Sequence, residues 1–261
     1  MARPPLLIGS SLKMYFGPGR SLEWTRDVAE RCATHPAVRD GIVQPFVIPS
    51  FPSIPLVGPV ASAAGMLVGA QDVHWEDSGA YTGEVSAPEL AEHGVSLVEV
   101  GHAERRAMFG ETDDTVARKV AATLRHGMTP LVCVGEAERG RADDAAAACI
   151  AQLEASVALA RTRDGGSVAS IVIAYEPVWA IGASEPASDA HIRAVGSALR
   201  AHLADDSAFR EARVIYGGSA GPGLWPRIAD SLDGMFLGRF AHDPAAFARI
   251  LDDVVALEAT R

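Results

Sequence analysis

Three ionisable residues each stand just after a short apolar run, and together they could move a proton. Lys13 closes the stretch Gly9-Ser10-Ser11-Leu12-Lys13 behind Leu6–Ile8. His102 lies in Gly101-His102-Ala103-Glu104-Arg105-Arg106, behind Leu97–Val100. Glu176 lies in Tyr175-Glu176-Pro177-Val178-Trp179-Ala180-Ile181-Gly182, behind Ile171–Ala174. A carboxylate that leaves a buried strand and is followed by apolar residues is partly desolvated, which suits a general base. A histidine at the start of a short helix feels partial positive charge, which disfavours imidazolium. Its neutral ring could then donate a hydrogen bond to a carbonyl oxygen. Lys13 would be a cation aimed at the same place. Each residue alone has a plainer reading: Lys13 a solvated loop lysine, His102 a loop histidine beside the surface acid Glu104, Glu176 a helix cap or ion-pair partner.

A second set of residues suits an anion. Tyr216-Gly217-Gly218-Ser219 follows Val214–Ile215, and Gly238-Arg239 follows Met235–Leu237. Glycine lets the backbone approach a ligand closely, and adjacent N–H groups before a helix bind anions. A single Gly-Gly pair is more often just a turn. Metal chemistry is not indicated, because the histidines and cysteines form no HExxH, HxH or CxxC spacing. No GxGxxG or Walker loop points to a nucleotide cofactor.

These residues need elements to hold them. Eight short apolar runs recur: Leu6–Ile8, Val43–Ile48, Leu67–Val68, Leu97–Val100, Leu131–Val134, Ile171–Ala174, Val214–Ile215 and Met235–Leu237. Such runs read as strands buried on both faces, as in a parallel sheet under helices. Between them, helical spacing predicts helices over Ser21–Cys32, Thr112–His126, Ala142–Ala160, Ser188–Leu203 and Asp243–Leu257. In the first of these Ser21 reads as the cap. Shorter helical segments fall near Ile54–Ala61, Pro88–His93 and Pro222–Asp230. Eight strand–helix alternations in 261 residues predict an α/β fold closed into a single (β/α)₈ barrel spanning residues 1–261. From rhythm alone, a doubly wound open sheet is the alternative. The stretch Arg161–Ser167 is the most linker-like and reads as a loop. In such a barrel the chemistry sits after the strands, and the loops after the last two hold phosphate. The residues singled out above occupy those places.

Composition narrows the classes. Hydrophobic residues at 48% and charged residues at 21% are those of an ordinary globular domain, so a disordered or fibrous chain is excluded. The formal net charge of −10 offers no basic surplus for a nucleic-acid backbone. An anionic substrate therefore needs local groups to hold it. Three irregularly spaced cysteines, Cys32, Cys133 and Cys149, argue against a disulfide framework and for a reducing compartment. Met1–Leu12 lacks the apolar core of a signal peptide, and no run approaches the length that spans a membrane. The chain reads as soluble and cytoplasmic.

Taken together, the motifs resemble the triosephosphate isomerase family, from about Leu6 to Leu257. Ala174–Gly182, Val100–Arg106 and Tyr216–Ser219 are highly specific for it. Gln71 and the run Gly79–Glu84 resemble the family's third loop, which enters the partner subunit of a dimer. The resemblance implies a cofactor-free TIM barrel that isomerises small sugar phosphates. Glu176 would be the base, His102 the neutral electrophile and Lys13 the cation on the enediolate oxygen, with Glu104 supporting Lys13. Gly182, Ser219, Gly238 and Arg239 would bind the phosphate. Pro177–Ala187 would be a lid latched by Tyr216 and Ser219. Thr82 would brace the neighbouring subunit of a homodimer, and Glu84 would pair with Arg105 across the interface.

The chain also departs from the family's pattern. Ser11 stands where the family has Asn, Leu12 where it has Trp, and Ala103 where it has Ser. The far hinge of the lid reads Ser184-Glu185-Pro186-Ala187, and Arg239 replaces a glycine. These changes surround the ends of the substrate. They resemble a branch acting on four-carbon ketose phosphates such as erythrulose 1-phosphate, with Ser11 leaving space at the reacting end. The main reading remains interconversion of dihydroxyacetone phosphate and glyceraldehyde 3-phosphate, the reaction of glycolysis and gluconeogenesis. The four-carbon isomerase is the alternative, and a non-catalytic barrel that binds phosphate esters is the reading from another class. Glu99, inside an apolar run, either pairs with a basic residue beneath the site or tunes His102 or the substrate.

Overall fold

The computed structural model describes residues 4–162 and 166–260. Part of the predicted loop Arg161–Ser167 and the first residues of the N-terminal stretch therefore lie outside the described residues. Eight parallel strands close into a barrel in sequence order. They are β1 (Leu6–Ser11), β2 (Val43–Ile48), β3 (Leu67–Ala70), β4 (Leu97–Val100), β5 (Thr129–Val134), β6 (Val168–Tyr175), β7 (Phe209–Tyr216) and β8 (Gly234–Leu237). β1 pairs with both β2 and β8, so no edge remains and the open-sheet alternative is excluded. Alternate residues face two cores. Leu7, Phe46, Ile48, Leu97, Leu131, Val172, Ile215 and Phe236 fill the barrel interior. Ile8, Val47, Val98, Val100 and Ile173 face outward against the helices. Burial on both faces is why the strands read as unbroken apolar runs rather than alternating ones. β5, β6 and β7 begin earlier than the apolar runs do. Their first turns carry Thr129, Ser170, Arg210 and Glu211 at the partly exposed foot of the barrel, where the hydrophobic signal fades.

The helices are α1 (Pro18–Thr34), α2 (Pro36–Arg39), α3 (Ile54–Ala63), α4 (Ala87–Glu92), α5 (Ala103–Phe109), α6 (Asp113–Arg125), α7 (Ala142–Arg161), α8 (Asp189–Asp205), α9 (Trp225–Ile228) and α10 (Pro244–Glu258). Thr112, Ser188 and Asp243 cap α6, α8 and α10 by accepting backbone N–H bonds, as their residue types suggest. The predicted cap Ser21 is a correction. Pro18, with its φ already helical, starts α1 a turn earlier, and Ser21 is buried inside the helix. Among the described residues no helix is long and apolar enough to cross a membrane.

A buried charge cluster supports the start of α5. Lys119 on α6 donates to Asp72 at 2.7 Å and to Glu111. Arg105 also holds Asp72, at 2.7 Å. Glu111 Oε2 accepts the N–H of Gly101, at 3.0 Å, which fixes the residue before His102. Burial pushes the Asp72 carboxyl up, while Lys119 and Arg105 pull it down. Removing one partner of such a cluster strands buried charge. Lys119→Met is expected to cost about 3–5 kcal/mol of stability, read from the urea midpoint. An unchanged midpoint would deny the cluster that role.

Candidate active site

The C-terminal ends of the strands open into a cavity of about 730 Å³. Ser11, Lys13, His102, Glu104 and Glu176 line it on one side. Gly182, Ser219, Gly238 and Arg239 line it on the other. All nine predicted site residues therefore meet around one space, although the first and last are 228 positions apart in the chain.

Each polar group is held by its local fold. Lys13 follows β1 with φ 47°, a left-handed conformation costly for a side chain other than glycine. Its Nζ lies 2.6 Å from Glu104 Oε1. Burial works against the charge of Lys13, but Glu104, Glu176 and Glu99 outweigh it and keep its pKa above the ordinary value. His102 is the N-cap of α5, and its Nδ1 accepts the N–H of Glu104 at 3.1 Å. That bond leaves the ring's proton on Nε2, which faces Glu176 Oε2 at 3.3 Å. Burial disfavours a charge on the ring, while Glu176 and Glu99 draw its pKa upward. The net shift is upward, to about 9, and it is opposed by the Glu104 amide, which a second proton would have to displace from Nδ1.

Glu176 leaves β6 with its N–H donated to Val134 O, at 2.8 Å. The side chain is buried, and Oε2 has no hydrogen-bond partner among the described residues. Gly217 packs directly on it, where a Cβ would stand 2.3 Å from Glu176 Oε1. Gly217→Ala is therefore expected to push the carboxylate aside. We expect kcat/KM to fall by up to about 10²-fold with little change in melting temperature. An active enzyme with unaltered kcat would show that the carboxylate tolerates the shift.

The opposite wall is tied to the segment 177–187. Ser219 Oγ lies 2.8 Å from Ala180 O and 2.9 Å from Ala183 O, sharing its proton between them. Ser219 has φ 53°; with Lys13 it is one of two positive-φ residues other than glycine among the described residues. Tyr216 OH accepts the N–H of Ala187, at 3.1 Å. Arg239 donates to Gly182 O at 2.9 Å, so the residue expected at the phosphate also grips the segment 177–187.

Several site residues escaped the sequence reading. Glu136, two residues beyond β5, is buried and receives Trp179 Nε1 at 2.9 Å and Tyr175 OH at 3.3 Å. His191 lies 2.9 Å from it on the other side. It anchors the near end of the segment 177–187, and its position after a strand was the signal available. His242 lies at the cavity mouth between Tyr15 and Phe16, with ring centroids 5.0 and 4.6 Å away. Burial, then Arg20 and Arg239, lower its pKa. Glu99 corrects an expectation, because its near neighbours are not basic residues beneath the site. Its Oε2 accepts the Ser11 hydroxyl at 2.8 Å, and Oε1 lies 3.9 Å from His102 Nε2. Burial pushes the Glu99 carboxyl up to about 7. Thr82 sits on an exposed turn, and Arg105 is held within the chain by Asp72 and Glu111. Among the described residues no cluster of three or more His, Cys, Asp or Glu could hold a metal ion.

A parallel barrel whose mouth gathers a buried carboxylate, an imidazole and an ammonium is the framework of an enzyme that works by proton transfer. The family model described as triosephosphate isomerase matches residues 6–254, and the chain belongs to that family of isomerases acting on phosphorylated sugars. Among its relatives is the L-erythrulose-1-phosphate isomerase of Pectobacterium atrosepticum, 48% identical over 257 residues and covering 98% of each chain. The triosephosphate isomerase of Synechococcus sp. (strain JA-2-3B'a(2-13)) is 36% identical over 251 residues, covering 95% of this chain and 96% of its own. The crystal structure of triosephosphate isomerase from Bartonella henselae superposes with a TM-score of 0.80 at 28% identity. That superposition covers 96% of this chain and 99% of the other. Membership of this family leaves no support for the reading as a non-catalytic barrel.

Proposed function

We propose that the protein isomerises a four-carbon ketose phosphate of the L-erythrulose 1-phosphate type. The observation that carries this is the 48% identity, over nearly the full length, to an isomerase named for that substrate. The triose reading, placed first on the motifs alone, becomes the second. Ser11 fits the change, because a serine at the reacting end leaves more room than the family's asparagine.

The chemistry follows from the groups at the mouth. Backbone N–H groups of Gly182, Ser219 and Gly238, with Arg239, hold the phosphate dianion against the chain's net negative charge. Lys13 and the Nε2–H of His102 meet the negative charge that develops on the substrate oxygens. Glu176 takes the proton from one carbon and returns it to its neighbour. The substrate's own carbonyl accepts the electron pair, so no cofactor is needed. The segment 177–187 closes over the phosphate and excludes water, which strengthens both donors. Two copies pair through the loop around Thr82. Cys32, Cys133 and Cys149 are free and buried, which suits the reducing cytoplasm.

A substrate panel tests the assignment. The four-carbon ketose phosphate is expected to show at least about tenfold higher kcat/KM than dihydroxyacetone phosphate. Equal or reversed values return the protein to the triose reading.

A further inference from the structure

Glu99 is a buried carboxylate in a strand whose other residues, Leu97, Val98 and Val100, are aliphatic. It shares the face of Leu97, which looks into the barrel, whereas Val98 and Val100 look out toward the helices. A buried charge is costly unless a partner returns the energy, and an aliphatic residue here would avoid the cost. Among the described residues Glu99 has no lysine or arginine within ion-pair distance. Its shortest contact is the Ser11 hydroxyl, reached across the barrel mouth from β4 to β1.

That contact sets the direction of a hydroxyl. The Ser11 hydroxyl donates to Glu99 Oε2, and once Glu99 is ionised, above about pH 7, the carboxylate can only accept, so the hydrogen of Ser11 is committed to it. The lone pairs of Ser11 Oγ are then left as the acceptor that this side chain offers. Ser11 lines the cavity beside Lys13, His102 and Glu176, while Glu99 stands behind it. Lys13 and His102 are donors, the Glu104 carboxylate in the same wall is tied to Lys13 at 2.6 Å, and Glu176 is reserved for a carbon-bound proton. A substrate hydroxyl near the reacting carbons therefore finds its acceptor in Ser11. A four-carbon ketose 1-phosphate carries one hydroxymethyl group more than dihydroxyacetone phosphate. That group sits on the reacting carbon, on the side away from the phosphate, and its hydroxyl is a donor.

We infer that Glu99 is a positioning residue for four-carbon substrates, fixing the Ser11 hydroxyl as the acceptor for the terminal hydroxyl of the added carbon. The inference rests on the four-carbon reading above. A polar group built to meet a substrate hydroxyl discriminates well, because the shorter substrate leaves it unmatched. Glu99 touches no substrate and acts through Ser11.

The test compares Glu99→Gln, Ser11→Ala and the double variant on L-erythrulose 1-phosphate and dihydroxyacetone phosphate. Glutamine keeps the volume of Glu99 but can donate to Ser11 and so reverse the bond. With Glu99→Gln, kcat/KM for the four-carbon substrate is expected to fall about tenfold, mainly through KM. Turnover of dihydroxyacetone phosphate is expected to change less than about threefold, which also reports that the variant is folded. The double variant is expected to be no worse than Ser11→Ala, because both changes break one relay. A wild type that prefers the four-carbon substrate, with a ratio unmoved by Glu99→Gln, overturns the inference and leaves the substrate assignment standing. A wild type that prefers dihydroxyacetone phosphate overturns that assignment and the inference with it. Equal loss on both substrates makes Glu99 a structural residue and overturns the inference. Should Glu99→Gln not fold, Ser11→Ala alone decides: it lowers the four-carbon ratio, or the inference fails.

Discussion

Glu176→Gln is expected to leave a folded protein that still binds sugar phosphate but turns it over about 10⁴-fold more slowly. Glutamine has the shape of glutamate and can keep its place against Gly217, so the packing is preserved. What disappears is the carboxylate proposed as the base. Glu104 is tied to Lys13 at 2.6 Å, and Glu99 lies behind Ser11. Neither can take over without a rearrangement of the mouth. The loss is placed at the upper end for a general base because neither neighbouring carboxylate is free to replace it. An amide in the same place cannot take a proton from carbon. Coupled-assay kcat, with calorimetric binding of a non-reacting phosphate ester, separates the two effects. A loss smaller than about tenfold, or a loss of binding with kcat preserved, would remove Glu176 from the role of base.

Legibility in the sequence followed burial and adjacency. The eight strands stood out because each is covered on both faces, and the catalytic candidates stood out because each follows its strand within a few residues. Features that depend on distant neighbours did not stand out. Arg239 could be read as a cation near a phosphate, but its bond to Gly182 O joins residues 57 positions apart. The left-handed backbone at Lys13 and Ser219 is imposed by the surrounding loops and leaves no mark in residue type. Gly217 could be read as a close approach to a ligand, whereas its lack of a Cβ makes room for Glu176. The start of α1 was misplaced because Ser21 has the type of a cap, while Pro18 sets the turn before it. Glu136 was legible in principle, since it follows a strand as the other site residues do. Its importance lies in the three aromatic and imidazole groups it collects from the end of β6, from the segment 177–187 and from α8. The four-carbon reading was legible as departures at Ser11 and Arg239. Ranking it above the triose needed the relatives, because one hydroxymethyl group alters only contacts at the rim.

Lys13→Met is expected to lower kcat/KM about 10³-fold, with both kcat and KM affected. Methionine keeps the length and apolar stem of lysine, so the wall of the cavity is largely retained. The ammonium is lost, and with it the charge proposed to meet the negative charge on the substrate oxygen. Its effect on substrate binding and on the transition state should both appear, because a dianionic ligand and an enediolate each need a cation in a chain of net charge −10. Global stability should move little, since the Lys13–Glu104 pair is partly exposed and such pairs contribute about 0–1 kcal/mol. Glu104→Gln breaks the same ion pair but leaves the ammonium in place, and should cost less than about tenfold in kcat/KM. The difference between the two variants isolates the charge from the contact. If Glu104→Gln proved as damaging as Lys13→Met, the left-handed turn at Lys13 would depend on its tether to Glu104. The lysine's contribution would then be one of position rather than of charge on the reacting oxygen.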